Sequence, residues 1–315
     1  MKLKKLVGLG LALAMVSVCV TTGFAEETAT ETALETEVYS DLGDTITYEV
    51  TGGNITIKTE TGAVTDCDET VTEAVIPSSY LGVSITSIAD SAFKNCTAIE
   101  RVVIPDSIIT VDKSAFYGCS KLDEVKFQGG TVSIDAYAFK NCTSLKSVNL
   151  PSTLTTIGKS AFDGCTVLPG VTLPSGLTSL GDGAFQNCTN LKSMTIPASV
   201  GTISSFAFYK CTALKSVVIS QGITTIKSSA FSGCTALSTV RIPASVTQIS
   251  YYAFRNCTGL VTLTIMNNDA AIESMKSSEP SFSGCTALKK VYCHKGSTAD
   301  DYNNYQGSKV RIYYI

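Results

Sequence analysis

Phenylalanine returns every 23 residues along most of this chain, at Phe93, Phe116, Phe139, Phe162, Phe185, Phe208, Phe231 and Phe254, with a ninth, Phe282, after a step of 28. Cysteine follows three residues later each time, from Cys96 to Cys285, and an apolar residue three after that, from Ile99 to Leu288. A fixed period of this length implies a solenoid. Each unit is too small to bury its own apolar face and does so only against its neighbours.

One unit shows the internal logic. In "AFYKCTALKSVVISQGITTIKSS", residues 207–229, Leu214, Val217 and Ile219 follow the pattern L-x-x-V-x-I. Val217 and Ile219 are two apart and share the inner face of a short strand, so Ser216 and Val218 point outward. Proline often closes the strand, as at Pro105, Pro151, Pro174, Pro197 and Pro243, because it has no N–H to continue a ladder. Ile223 and Ile226 then bury a second edge, and a short helical turn carries Ala207 and Phe208. Asn or Gly precedes the cysteine in eight units and tolerates the left-handed conformation that ends a helix. Lys210 departs from this rule, which predicts a strained or differently shaped turn there. The expected fold is an α/β repeat solenoid, with a parallel sheet on one face, short helical turns and loops on the other, and a cap at each end.

The ends read differently from the array. Lys2, Lys4 and Lys5 precede the apolar run Leu6 to Val20, and Gly23 and Ala25 supply small residues for cleavage. This is the pattern of a secretory signal peptide over 1–25, and the run is short for a membrane span. Val18 before Cys19 weakens the alternative of a lipid-modified cysteine. Residues 26–44, rich in Glu and Thr, read as a flexible acidic leader. Residues 45–70 read as a β-hairpin cap, in which Gly52 and Gly53 supply the turn. The array of nine units spans 71–288, and 289–315 form the second cap, with a helix starting at Ser297 and a last strand in "KVRIYYI". Five extra residues sit near "YLGVS" and five more near "DAAIESMKSSEP", where terminal units adjust to their caps.

Hydrophobic residues make up 44% of the chain and charged residues 16%, enough apolar material for a long core. The net charge is −3, and losing the three leading lysines makes it −6. That average speaks against nucleic acid as a partner.

The pattern C-x-x-L-x-x-V-x-I-P, followed by V-x-x-I-x-x-x-A-F, resembles the BspA-like class of leucine-rich repeats over residues 71–288. The resemblance implies a secreted or surface protein that binds other molecules, often as an adhesin.

Eleven cysteines remain beyond residue 25, nine in register plus Cys67 and Cys293. Neighbouring rungs stand about 4.8 Å apart, within reach of a disulfide but with the Cβ atoms too far apart for its preferred geometry. An odd number of identically spelled positions favours a ladder of buried thiols, each a small hydrophobe with a weak donor. Cys67 and Cys293 lie about 40 Å apart across nine rungs, too far to pair with each other.

Nothing in the sequence gathers catalytic or metal-binding groups. No C-x-x-C spacing occurs, the single histidine, His294, sits in the C-terminal cap, and no phosphate loop joins a strand to a helix. No cofactor, metal site or enzyme activity is expected. The "NCT" triplets match a glycosylation pattern, but their register beside a buried thiol makes them structural.

The outward strand positions carry the functional expectation. Their middle stretch is Ser147, Asn149, Thr172, Ser193, Thr195, Ser216, Val218, Thr239, Arg241, Thr262 and Thr264. These form two columns on one face that would take a protein or glycan ligand, the chain itself being a monomer. The alternative is a structural spacer of the cell envelope, with Ser and Thr keeping the sheet soluble.

Overall fold

The computed structural model describes residues 44–267, 281–297 and 310–315. The signal segment, the leader up to residue 43, the second insertion and the helix expected after Ser297 lie outside the described residues. The rungs of the solenoid stack in three hydrogen-bonded ladders that enclose one continuous apolar core.

The first ladder is the predicted parallel strand face. Glu73–Val75, Arg101–Ile104, Glu124–Phe127 and Ser147–Asn149 form one sheet. Ser193–Ile196, Ser216–Ile219, Thr239–Ile242, Thr262–Ile265, Lys290–Cys293 and Arg311–Tyr314 form another. Alternation places Val125, Met194, Val217, Val240 and Leu263 inside. The second ladder consists of two-residue strands such as Ser133–Ile134 and Thr225–Ile226, whose isoleucines are buried. At the N-terminal end, Thr45–Val50 and Gly53–Lys58 form an antiparallel hairpin. Its third strand, Ala63–Cys67, joins this second ladder by parallel pairing with Ser87–Ile88. The extra residues near Tyr80 form a small hairpin, Ser79–Tyr80 against Val83–Ser84.

The third ladder replaces the helical turns expected from the sequence. Among the described residues, the only regular helical stretch is the 3-10 segment Ala198–Val200. In the first rung Ala92, Lys94 and Cys96 donate their N–H groups three residues back, to Ala89, Ser91 and Phe93. The alternate N–H groups of Ser91, Phe93 and Asn95 leave the rung and bond Lys113, Ala115 and Tyr117 of the next. The same pattern repeats up to Phe254 and Asn256, which donate to Ser281 and Ser283 across the longer step. A helix would keep all of those donors within its own segment. Two left-handed residues prevent it in each rung from Ser91 (φ 64) and Asn95 (φ 61) to Tyr252 (φ 58) and Asn256 (φ 57). The position before the cysteine is the one Asn and Gly announce. Lys210 adopts it as well (φ 57), so its turn has the shape of the others. The earlier position is filled by residues as bulky as Tyr137, Phe206 and Tyr252, which give no sign of it in the sequence.

Behind the turn, the nine repeated phenylalanines are buried and stacked face to face. Centroid spacings run from 4.7 Å between Phe93 and Phe116 to 5.8 Å between Phe185 and Phe208. Beside them runs the thiol ladder. Cys119 Sγ donates to the Phe93 carbonyl at 2.9 Å, and Cys142 Sγ to that of Phe116 at 3.2 Å. Every later repeat cysteine up to Cys285 reaches back in the same way. The ladder of free thiols holds from Cys119 onward but not at its first member. Cys96 has no preceding repeat phenylalanine to reach, and it forms a disulfide with Cys67 that ties the cap to the first rung.

Two measurements follow from this core. Phe208→Ala should cost about 3–5 kcal/mol in denaturant unfolding, because the missing ring leaves a cavity between two rungs; a cost near zero would place Phe208 outside the core. Burial pushes the thiols of Cys119 and Cys234 up to about 12, against roughly 8.5 in an unfolded chain. Above that lower value the unfolded state loses thiol protons that the native state keeps. Stability should therefore hold below about pH 8.5 and fall as pH rises toward 12, by about 1.4 kcal/mol per pH unit for each such thiol. Melting curves between pH 8 and 10 should show the fall, and a Cys119→Ala/Cys234→Ala variant should show a shallower one.

Candidate functional site

The two columns read from the sequence do lie side by side on the strand face. Ser193 pairs with Ser216 and Thr195 with Val218. Ser216 pairs with Thr239, Thr239 with Thr262, and Arg241 with Thr264. All but Thr262 and Thr264, which are half-buried, are exposed. Val218 is 56% exposed, an isolated apolar side chain in the middle of a hydroxyl-rich surface. Asn149 is already engaged: its amide donates to the Phe127 carbonyl at 2.8 Å and accepts from the Phe127 N–H at 2.9 Å.

The face is not continuous. Between Ser147–Asn149 and Ser193–Ile196 one unit, residues 168–174, forms no strand, and its backbone bond to a neighbouring rung is the Lys192 N–H donating to the Pro169 carbonyl at 3.0 Å. The cause is local. In neighbouring units the residue after the leucine position donates its N–H one rung back, as Lys146 does to Asp123 and Lys215 to Lys192, both at 2.9 Å. Pro169 occupies that position and has no N–H to give. Gly170 follows, with no side chain to pack against its neighbours and a low preference for strands. The backbone N–H and C=O groups of Gly170 to Leu173 make no hydrogen bond to a neighbouring strand.

The splayed unit opens a cleft of about 880 Å³. Its walls are the flanking strands, and it includes four of the expected residues, Asn149, Thr172, Ser193 and Thr195. Val171, Leu173, Met194 and Pro174 give it an apolar lining, and none of its lining residues is charged. Unpaired backbone donors and acceptors beside an apolar floor suit an extended polypeptide, which satisfies a strand edge with its own backbone and fills the floor with alternate side chains. Pro169 and Gly170 stand in the sequence as a departure from the repeat, but their consequence for the ladder needs the register of three adjacent rungs.

Other features are structural. Thr143 and Thr189, from two of the "NCT" triplets, donate their hydroxyls to the Ser120 and Thr166 carbonyls of the preceding rung at 3.3 and 3.1 Å. His294 is half-buried next to the buried Cys293. Among the described residues, no three His, Cys, Asp or Glu side chains gather to hold a metal ion. No helix among them is long and apolar enough to cross a membrane.

Comparison with known proteins agrees with the repeat. The BspA type leucine rich repeat region matches in six copies, over residues 67–190 and 201–312. No curated protein sequence matches the chain. Among solved structures, the T. pallidum leucine rich repeat protein (TpLRR) is 28% identical, with a TM-score of 0.53, over 60% of this chain and 90% of its own. A leucine-rich repeat protein from Eubacterium ventriosum is 21% identical with a TM-score of 0.47, covering 86% of each chain. A leucine rich cell surface protein from Faecalibacterium prausnitzii is 19% identical with a TM-score of 0.31, over 80% of this chain and 95% of its own. The 23-residue period, its stacked phenylalanines and the extent of the match together place the chain in the BspA-type leucine-rich repeat family.

Proposed function

We propose that the chain is a secreted or cell-surface protein, without enzyme activity, that binds other proteins, as an adhesin does, through its strand face. The observation that carries this reading is the cleft at Pro169 and Gly170. Among the described residues, the strand face is interrupted once, in the middle of the exposed columns, and unpaired backbone groups line the opening. Membership of the BspA-type family and the export pattern at residues 1–25 support the same reading.

The partner enters as an extended segment. Its backbone pairs with Gly170 to Leu173 or with the edge of a flanking strand, and its apolar side chains cover Val171 and Met194. The uncharged Ser and Thr columns on either side accept a partner without demanding opposite charge, and Val218 and Arg241 extend the contact toward the C-terminal rungs.

The test uses two variants of the whole chain. Pro169→Lys/Gly170→Ser restores the repeat pattern, and should close the cleft and slow amide exchange at Thr172 relative to the parent. Thr195→Glu/Val218→Glu/Arg241→Glu places charge on the face and leaves the cleft residues Gly170 to Leu173 unchanged. Proteins captured from host-cell and bacterial-surface extracts by the parent should be lost from both variants. A partner kept by both would move the site off this face. No partner from either extract would favour a structural spacer of the envelope instead.

A further inference from the structure

The charge of the chain is unevenly placed. Residues 44–182 carry sixteen acidic and nine basic side chains, whereas residues 183–267 carry six basic ones and no Asp or Glu. Those six, Lys192, Lys210, Lys215, Lys227, Arg241 and Arg255, are all exposed. Among the described residues none of them has a carboxylate partner. An acidic protein overall thus presents a purely cationic length of solenoid, and such a segment attracts anions whatever the net charge of the rest.

On the turn face of this length the cations stand beside aromatic rings. Lys210 Nζ lies 5.2 Å from the ring centroid of Tyr209, and the Arg255 guanidinium 4.7 Å from that of Tyr252. Phe206 packs edge-on against Tyr209 at 5.7 Å and is 42% exposed, and Tyr251 is 48% exposed. Large exposed aromatics of this kind are uncommon elsewhere on the described surface, and aromatic and cationic side chains are the groups on which binding surfaces depend.

The register turns these groups into a trough. Phe206, Tyr209 and Lys210 belong to one rung and Tyr251, Tyr252 and Arg255 to the next but one. The rung between them carries Ser229, Ser232 and Gly233 at the corresponding positions, and both serines are buried. Two tall walls therefore stand about 10 Å apart, two rungs of the solenoid, over a low floor. Lys227 adds a third positive charge at the shoulder of the middle rung.

We propose that this trough binds an acidic polysaccharide. Arg255 and Lys210 take its carboxylate or sulfate groups, the guanidinium through paired N–H donors. The exposed faces of Phe206 and Tyr251 cover the apolar sides of the sugar rings. The width suits a single chain of sugars rather than a folded protein surface. The charge spacing also distinguishes it from a nucleic acid, since duplex DNA carries a negative charge about every 1.7 Å of its axis, far denser than three cations spread over three rungs. A polymer with one charge per sugar or fewer matches them. This site is separate from the strand-face cleft and does not rest on it.

Titration of the whole chain with heparin and with polygalacturonate, as a sulfated and a carboxylated probe, tests the proposal by calorimetry. Binding to at least one is expected at low salt, and weaker binding as salt rises. Lys210→Gln/Arg255→Gln should weaken it by about tenfold or more, equivalent to about 1.4 kcal/mol, with an unchanged melting temperature. Phe206→Ser/Tyr251→Ser should weaken it as well. Lys192→Gln/Lys215→Gln, a control of equal charge away from the turn, should retain binding, and so should Pro169→Lys/Gly170→Ser. The proposal fails if neither polysaccharide binds at low salt, or if the Lys210/Arg255 variant binds as the parent does. It also fails if a single-stranded oligonucleotide binds more tightly than both polysaccharides.

Discussion

Everything in this solenoid hangs on the inter-rung ladder at the turn. Both strand ladders are interrupted, one at residues 168–174 and the other between Ser179–Leu180 and Thr202–Ile203. The turn ladder is not. Phe162 bonds Ala184, Phe185 bonds Ala207 and Phe208 bonds Ala230 at 2.8 Å each, straight through the region where the sheets part. These bonds hold each phenylalanine over the next and each thiol under the previous carbonyl. The strand face is thereby relieved of the duty of holding the rungs together. That is why one unit can splay open into a cleft without dividing the core.

Much of this was legible in the sequence, because a period of 23 constrains every equivalent position at once. Val217 and Ile219 inside, Ser216 and Val218 outside, and Ile226 on a second buried edge all follow from alternation within one unit. The turn that the sequence presents as helical is not helical, for a physical reason. Asn or Gly before the cysteine looks like a helix end, but it is one of two left-handed positions, and the other is held by Ser91, Tyr137 or Phe206, which prefer no such conformation. Backbone bonds to the next rung, invisible in a single unit, offset that preference. Cys67 illustrates a different limit. Its partner is fixed by which rung lacks an upstream carbonyl, and that emerges only when the cap is placed on the array.

The candidate site was half legible. The two columns follow from the repeat period, and Ser193, Ser216, Thr239 and Thr262 stand in register on adjacent strands. The cleft depends on a missing N–H at Pro169, and its effect is felt by two strands that are 46 residues apart in sequence, at Ser147 and Ser193. The cationic turn face was hidden by averaging: sixteen acids between residues 44 and 182 mask a length that has none. Two faces of one rod thus carry different chemistries, an uncharged opening with backbone donors on one and aromatic-flanked cations on the other. The repeat permits this because outward positions contribute nothing to the core and vary independently from rung to rung.

The thiol ladder has a consequence for how such a chain survives in air. Each repeat sulfur from Cys119 to Cys285 is sealed by burial and aimed at a carbonyl, so oxidants that act on exposed thiolates find nothing to attack. The hazard is moved from the finished protein to the unfolded one, where the same sulfurs lie 23 or 28 residues apart on a mobile chain and any two can join. For this molecule the race that matters is between closing the rungs and the first wrong disulfide.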